Sequence, residues 1–130
     1  MDHKKLDTLF AEAKLARERS YCPYSNFAVG AALLTADGRI YHGCNIENAA
    51  ISPTVCAERT AIFKAVSEGA RNFIAIAVAG AKQGEDPVED CYPCGVCRQV
   101  LAEFCTTDLL VITAKGRTTL GALLPNSFNL

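Results

Sequence analysis

Leu6, Leu9, Phe10, Ala13 and Ala16 recur at the spacing that gathers apolar side chains on one face of a helix. The helix they predict ends before Tyr21-Cys22-Pro23-Tyr24, where a proline interrupts the pattern. The segments 28–35 and 40–44 then read as strands, and the four residues between them centre on Asp37-Gly38, so a hairpin is expected. A second helix is predicted from Ser52 and Pro53, a cap residue followed by a proline whose missing donor costs nothing at the first helical position, to Gly69. The run FIAIAVAG at 73–80 reads as a buried strand, and 81–93 as a loop rich in acids and proline. Cys97, Val100, Leu101 and Phe104 form one stripe of a third helix beginning at Cys94. A strand LLVIT at 109–113, a small strand near Thr118 and a helical turn through Leu124 follow. The order α-β-β-α-β-α-β predicts an α/β fold in a single domain over 1–130: a mixed sheet of four or five strands flanked by helices.

Composition narrows the function classes. Half of the 130 residues are hydrophobic, 21% are charged and the formal net charge is -1; no basic excess is available to hold a phosphate backbone, which argues against long nucleic acid as partner. The longest apolar run, Phe73 to Ala81, is too short to span a bilayer, and Asp7, Glu12 and Lys14 break the amino-terminal apolar pattern. A soluble, unexported protein is expected. Seven cysteines, an odd number without a signal peptide, point away from a disulfide framework and towards metal or redox chemistry in a reducing, cytoplasmic setting.

Cys94 and Cys97 stand three apart at the start of the third helix, so their side chains share one face of its first turn; Cys56 falls in the first turn of the second helix. Helix amino termini carry partial positive charge, which lowers thiol pKa values and favours thiolate ligands. Three thiolates meeting between two helix ends suit a zinc ion whose fourth position stays open, the pattern of a catalytic site. Glu58 lies two residues past Cys56. In mid-helix that offset turns side chains roughly 200° apart, but at a helix end both reach a metal beyond the axis. A carboxylate there is placed for proton transfer. Arg59, three residues from Cys56, offsets thiolate charge, and Asn45 and Glu47, two apart in an extended segment, project to one side. Other readings stand beside these. Cys91-x-x-Cys94-x-x-Cys97 would suit an iron–sulfur centre, Cys91 or Cys44 would close a structural zinc site, and Cys94 with Cys97 alone would make a redox dithiol. None of them gives Glu58 a purpose. Cys22, Cys44 and Cys105 read as small apolar residues, Phe27 taken alone as core, Glu47 and Arg59 taken alone as surface charges, and neither His3 nor His42 is assigned to the metal.

Cys56-Ala57-Glu58 followed by Pro93-Cys94-Gly95-Val96-Cys97 matches the zinc deaminase signature, His or Cys, then x-Glu, then P-C-x-x-C. With PYSNFAVGAAL (23–33), GCNIENAA (43–50), CAERTA (56–61) and PCGVCRQVLAEF (93–104), the chain resembles the small homotetrameric cytidine deaminases of the three-cysteine zinc type over nearly its whole length. The resemblance implies a three-layer fold, one Zn²⁺ per subunit on Cys56, Cys94 and Cys97, and Glu58 as proton shuttle. By the same resemblance Phe27 lies against the pyrimidine, Ala57 contacts the substrate, Asn45 and Glu47 hold a ribose hydroxyl and Arg59 tempers the thiolates. Phe128 matches a carboxy-terminal aromatic that reaches a neighbouring subunit's site. The implied reaction is hydrolytic deamination of cytidine and 2′-deoxycytidine to the uridines and ammonia, in pyrimidine salvage. A deaminase for another aminopyrimidine, such as blasticidin S, and a non-catalytic zinc or redox module are the competing functions; Asn45-Ile46-Glu47-Asn48 speaks for a ribose.

Overall fold

The computed structural model describes residues 3–130, apart from the His3 side chain, so the exclusion of His3 as a metal ligand lies outside the described residues. Strands β1 (Phe27–Thr35), β2 (Ile40–Cys44), β3 (Phe73–Lys82), β4 (Leu110–Thr113) and β5 (Gly116–Thr119) form one sheet in the order β2-β1-β3-β4-β5. Only the β3–β4 pair is parallel, so the sheet is mixed and five-stranded as expected. Helix α1 (His3–Ala16) covers one face; α2 (Ala57–Ser67) and α3 (Gly95–Phe104) cover the other, with a short α4 (Leu120–Leu123) beside them. Along β1 the side chains alternate between these two cores. Ala31 and Leu33 pack with Ala61, Ile62 and Leu101, while Ala32 and Leu34 pack with Leu6, Leu9 and Ala13. Central strands buried on both faces read as unbroken apolar runs, which is why FIAIAVAG was legible as a strand without alternation. Each fully buried side chain of the size of Leu9 or Ile62 contributes roughly 2 kcal/mol of transfer free energy.

The hairpin closes where Asp37-Gly38 predicted it. Gly38 takes φ 92° and donates to Thr35 O at 3.1 Å, a left-handed position that suits glycine, and the Thr35 hydroxyl bonds the Asp37 carboxylate. Helix α2 stops as expected too. The Gly69 and Ala70 N–H groups return to Val66 O and Ala65 O, both at 3.0 Å, with Gly69 at φ 97°, a Schellman arrangement.

The start of α2 differs from the expected position. Ser52 and Pro53 lie in a turn closed by Thr54 N–H to Ile51 O at 3.0 Å; Val55 then pairs antiparallel with Ile46, each N–H donating to the other's carbonyl at 2.9 and 3.0 Å. That pairing holds residue 55 extended, so the helix begins only at Ala57 with Cys56 as its cap residue. A tertiary contact has overridden a local capping signal.

Gly43 explains how α2 sits. A Cβ there would stand 2.3 Å from Ala57 O and 2.5 Å from Ala61 N, so the first turn of α2 packs directly on the β2 backbone. Gly80 on β3 plays the corresponding part for the loop before α3: a Cβ there would lie 2.8 Å from Cys91 Sγ and 3.0 Å from Phe27 Cε2.

Candidate active site

Cys56 and Cys94 are the cap residues of α2 and α3, both with extended backbone, and neither thiol accepts from its own helix. The two helices therefore begin with side chains free to converge, and Cys97, buried in the first turn of α3, completes the set. The Cys56 and Cys94 sulfurs are 3.8 Å apart, those of Cys94 and Cys97 3.6 Å, and all three lie within 4.8 Å of one another. Thiolates about 2.3 Å from one tetrahedral zinc are about 3.8 Å from each other, so the donors present fit that ion. Neither Cys91 nor Cys44 joins this group, which is the metal-ligating cluster found among the described residues. The iron–sulfur reading thereby loses Cys91, and the closed structural-zinc reading has no fourth sulfur among the described residues. A dithiol of Cys94 and Cys97 does not account for the third.

Hydrogen bonding to Cys97, then to the Arg59 guanidinium, holds the Cys56 thiol down at about 5. Cys97 moves the other way, raised by keeping the proton it shares with Cys56 and by burial. Arg59 Nη2 lies 3.4 Å from Cys56 Sγ and 3.5 Å from Thr54 O, while its buried Nε has no hydrogen-bond partner among the described residues. The guanidinium is thus committed to the sulfur cluster and not to solvent. Thr60 Oγ1 donates to Cys44 O at 3.0 Å and ties α2 to the end of β2. Arg98 does the same for α3, bonding Pro93 O at 2.7 Å and Leu123 O at 2.8 Å.

Glu58 is the second residue of α2 and is 3% exposed. Burial pushes its carboxyl up to about 7, with the Cys56 charge adding to the rise. It opens onto a cavity of about 180 Å³ also lined by Cys56, Ala57 and Cys94, by Asn45 and Glu47, and by Cys91 and Tyr92. One cavity therefore joins the sulfur cluster, the carboxyl, and the polar pair expected for a sugar. No lysine or arginine lines it among the described residues. A wider cleft of about 690 Å³ between α1 and residues 83–87 carries none of these groups and is bridged by a Lys14–Asp86 ion pair.

Asn45 and Glu47 share a side as predicted, but both have protein partners that spacing alone did not show. Asn45 clips onto β1, donating from Nδ2 to Phe27 O at 2.8 Å and accepting the Val29 N–H on Oδ1 at 3.0 Å. Glu47 accepts the Tyr24 and Ser25 N–H groups on Oε1 at 2.9 and 3.1 Å, and the Ser25 hydroxyl on Oε2. The Ser25 hydroxyl, then the Tyr24 N–H, hold this carboxyl below the usual carboxylate range. An amide keeps one N–H and one lone pair after such a clip, and a carboxylate with three donors keeps a free acceptor, so both can still bind a hydroxyl.

Phe27 is placed beside the cavity and not in its lining: 39% exposed at the start of β1, its ring edge reaches Gly80 next to Cys91. The preceding Asn26, at φ 57°, supplies the left-handed residue that turns the chain into β1 there. Phe128 lies outside this chain's cavity, 67% exposed, its carbonyl accepting from Gln99 Nε2 at 3.1 Å. His42 is engaged by Glu12 of α1 at 2.7 Å and takes no part. Cys22 is buried, burial pushes Cys105 up to about 12, and Cys44 donates to Arg19 O at 3.3 Å. The sequence reading missed Ser25, Gly80, Cys91 and Tyr92 as parts of the site. Ser25 lies inside the quoted PYSNF stretch, and Cys91 stands three residues before a ligand; those were the available signals.

The description "Cytidine and deoxycytidylate deaminase zinc-binding region" matches residues 3–113. The cytidine deaminase of Sporosarcina psychrophila is 56% identical over 129 residues, covering 95% of this chain and 91% of its own. That of Halalkalibacterium halodurans is 49% identical over 125 residues, covering 92% and 91%. The crystal structure of cytidine deaminase from Burkholderia pseudomallei superposes with a TM-score of 0.85 at 47% identity, covering 98% of this chain and 100% of that one. With three sulfurs and a buried carboxyl at the positions these motifs define, the chain belongs to the cytidine deaminase family.

Proposed function

We propose that this chain hydrolyses cytidine and 2′-deoxycytidine to uridine and 2′-deoxyuridine with release of ammonia, serving pyrimidine salvage. The observation that carries the reading is the shared cavity, whose lining brings Glu58 together with Cys56 and Cys94 of the three-sulfur cluster and with the Asn45–Glu47 pair. Cys56, Cys94 and Cys97 would hold zinc, which when bound would supply Lewis acidity to the water nucleophile. Glu58 does the proton work. Its carboxylate takes one proton of the water that attacks C4 and delivers it to N3 of the ring; it then moves the remaining proton of the new C4 hydroxyl to N4, so that the C4–N4 bond breaks, ammonia leaves and C4 becomes a carbonyl. Ala57 and Val29 line the cavity beside it, and Phe27 at the rim flanks the pyrimidine. Arg59 offsets the one net negative charge that three thiolates leave on a divalent ion, keeping the metal an effective acid.

Asn45 and Glu47, each with capacity left after its protein contacts, receive a sugar hydroxyl; free cytosine offers them none, which makes that base a very poor substrate. A 5′-phosphate meets Glu47 and, among the described residues lining the cavity, no lysine or arginine, so nucleotides are rejected. The reading includes a homotetramer in which Phe128, exposed and outside its own cavity, completes a neighbour's site. It also includes a cytoplasmic location, in keeping with seven unpaired cysteines; among the described residues no helix is long and apolar enough to cross a membrane. The test pairs zinc stoichiometry with ultraviolet monitoring of cytidine conversion in the wild type and Glu58→Gln. The variant should keep zinc and fold while turnover falls by a factor on the order of 10² to 10⁴; near-normal turnover would remove Glu58 from the mechanism.

A further inference from the structure

We propose that Cys91, seated on Gly80, forms the wall facing C5 of the bound pyrimidine and thereby selects among 5-substituted nucleosides; the inference rests on the deamination reading above. The ring's orientation follows from the cavity. C4 must lie at the sulfur end, and the sugar on N1 must point to Asn45 and Glu47. N3 and C5 then flank C4 on opposite edges of the ring. Proton delivery turns N3 to Glu58, so C5 faces the wall across from it.

Sheet order identifies that wall. The first turn of α2, which carries Glu58, packs on Gly43 of β2, and Cys91 packs on Gly80 of β3. Because β1 lies between β2 and β3, the two stand on opposite sides of the strand that contributes Val29 to the cavity. Cys91 lines this cavity yet is no member of the metal-ligating group, so its sulfur is free to meet substrate. A cysteine there is a small, weakly polar surface, and one with no spare depth behind it. A Cβ on Gly80 would come within 2.8 Å of the sulfur, so only glycine beneath lets the thiol sit this far back. Tyr92, 46% exposed and bonded through its hydroxyl to Asp90 Oδ2 at 3.4 Å, continues the wall towards solvent.

One methyl group in an apolar pocket changes kcat/KM by about 10- to 200-fold, which gives the expected scale. The test uses the full-length, zinc-loaded enzyme and the ratio of kcat/KM for 5-methylcytidine to that for cytidine. Dissociation constants for uridine and 5-methyluridine serve as a readout independent of turnover. Cys91→Ala should raise both 5-methyl preferences about tenfold, and Cys91→Leu should lower them by a similar factor. Gly80→Ala, which drives the sulfur into the cavity, should also lower them. A merely structural role for Cys91 would weaken both substrates alike and leave the ratios in place. Ratios unchanged within about twofold in Cys91→Ala and Gly80→Ala would overturn the proposal, even if Cys91→Leu failed to fold. Failure of the wild type to convert cytidine would instead overturn the deamination reading and this proposal with it.

Discussion

Gly43→Ala adds one methyl group outside the cavity lining, and the structure allows its effect on catalysis to be sized. The added Cβ would meet Ala57 O at 2.3 Å and Ala61 N at 2.5 Å, against 3.4 Å for ordinary contact, so α2 must retreat by about 1 Å. Both obstacles are backbone, so no side-chain rotation relieves them. Overpacking of this kind costs about 1–3 kcal/mol, and the loss of glycine's freedom in the unfolded chain returns about 0.4–1 kcal/mol. A net loss of about 1–2 kcal/mol corresponds to a fall in Tm of roughly 3–8 °C for a chain of this size. The larger effect is on turnover. The displaced turn carries Cys56 and Glu58, and a misplacement near 1 Å costs about 10²-fold in rate. Thermal unfolding, metal content and saturating-cytidine turnover of the purified variant would be compared with Gly116→Ala, where nothing lies within 4 Å of the added carbon. The control, which keeps that unfolded-state gain and meets no obstacle, should be as stable as the wild type or more so, by no more than about 1 kcal/mol. Wild-type Tm and turnover in Gly43→Ala would refute the packing argument.

Cys56→Ala, Cys94→Ala and Cys97→Ala should each lose bound zinc, whereas Cys91→Ala should retain it; metal analysis after gel filtration decides, and zinc lost with Cys91 would reopen the ligand set. Ser25→Ala removes the hydroxyl that most depresses the Glu47 carboxyl. Because the wild-type pKa lies below the ordinary value, the ionised acceptor persists to lower pH and is lost as pH falls through that pKa; in the variant the loss must begin at higher pH. KM for cytidine against pH would show the acid limb displaced upward, and superimposable profiles would exclude the role given to Ser25. Deleting Phe128 to Leu130 should raise KM more than it lowers Tm; an unchanged KM, or a fully active monomer by light scattering, would count against a shared site.

What was legible in the sequence was what depends on short spacing. Cys94 and Cys97 had to share the first turn of a helix, Asp37-Gly38 had to reverse the chain, and Asn45 and Glu47 had to share a side. Cys56 was expected within the first turn of α2 and instead caps it, because Val55 pairs with Ile46, a contact that no capping rule contains. The parts that stayed hidden depend on sheet order. That β1 lies beside β3 brings Phe27, Gly80 and Cys91 together, and residues 27 and 80 are too far apart in the chain for any local pattern to join them. Ser25 was unreadable for a related reason: its partner Glu47 is reached only after the hairpin has folded back.

The sulfur cluster draws its members from two helix starts that are 38 residues apart in the chain. The body of α2, strand β3 and the loop over Gly80 lie between them in the chain, and their packing sets Cys94 beside Cys56. An emerging polypeptide that ends short of residue 97 has no complete set of these three sulfurs to offer a metal. Thiolate-to-cobalt absorption, developing as a refolding chain takes up Co²⁺ in place of zinc, would accordingly time the closing of the fold and not its beginning.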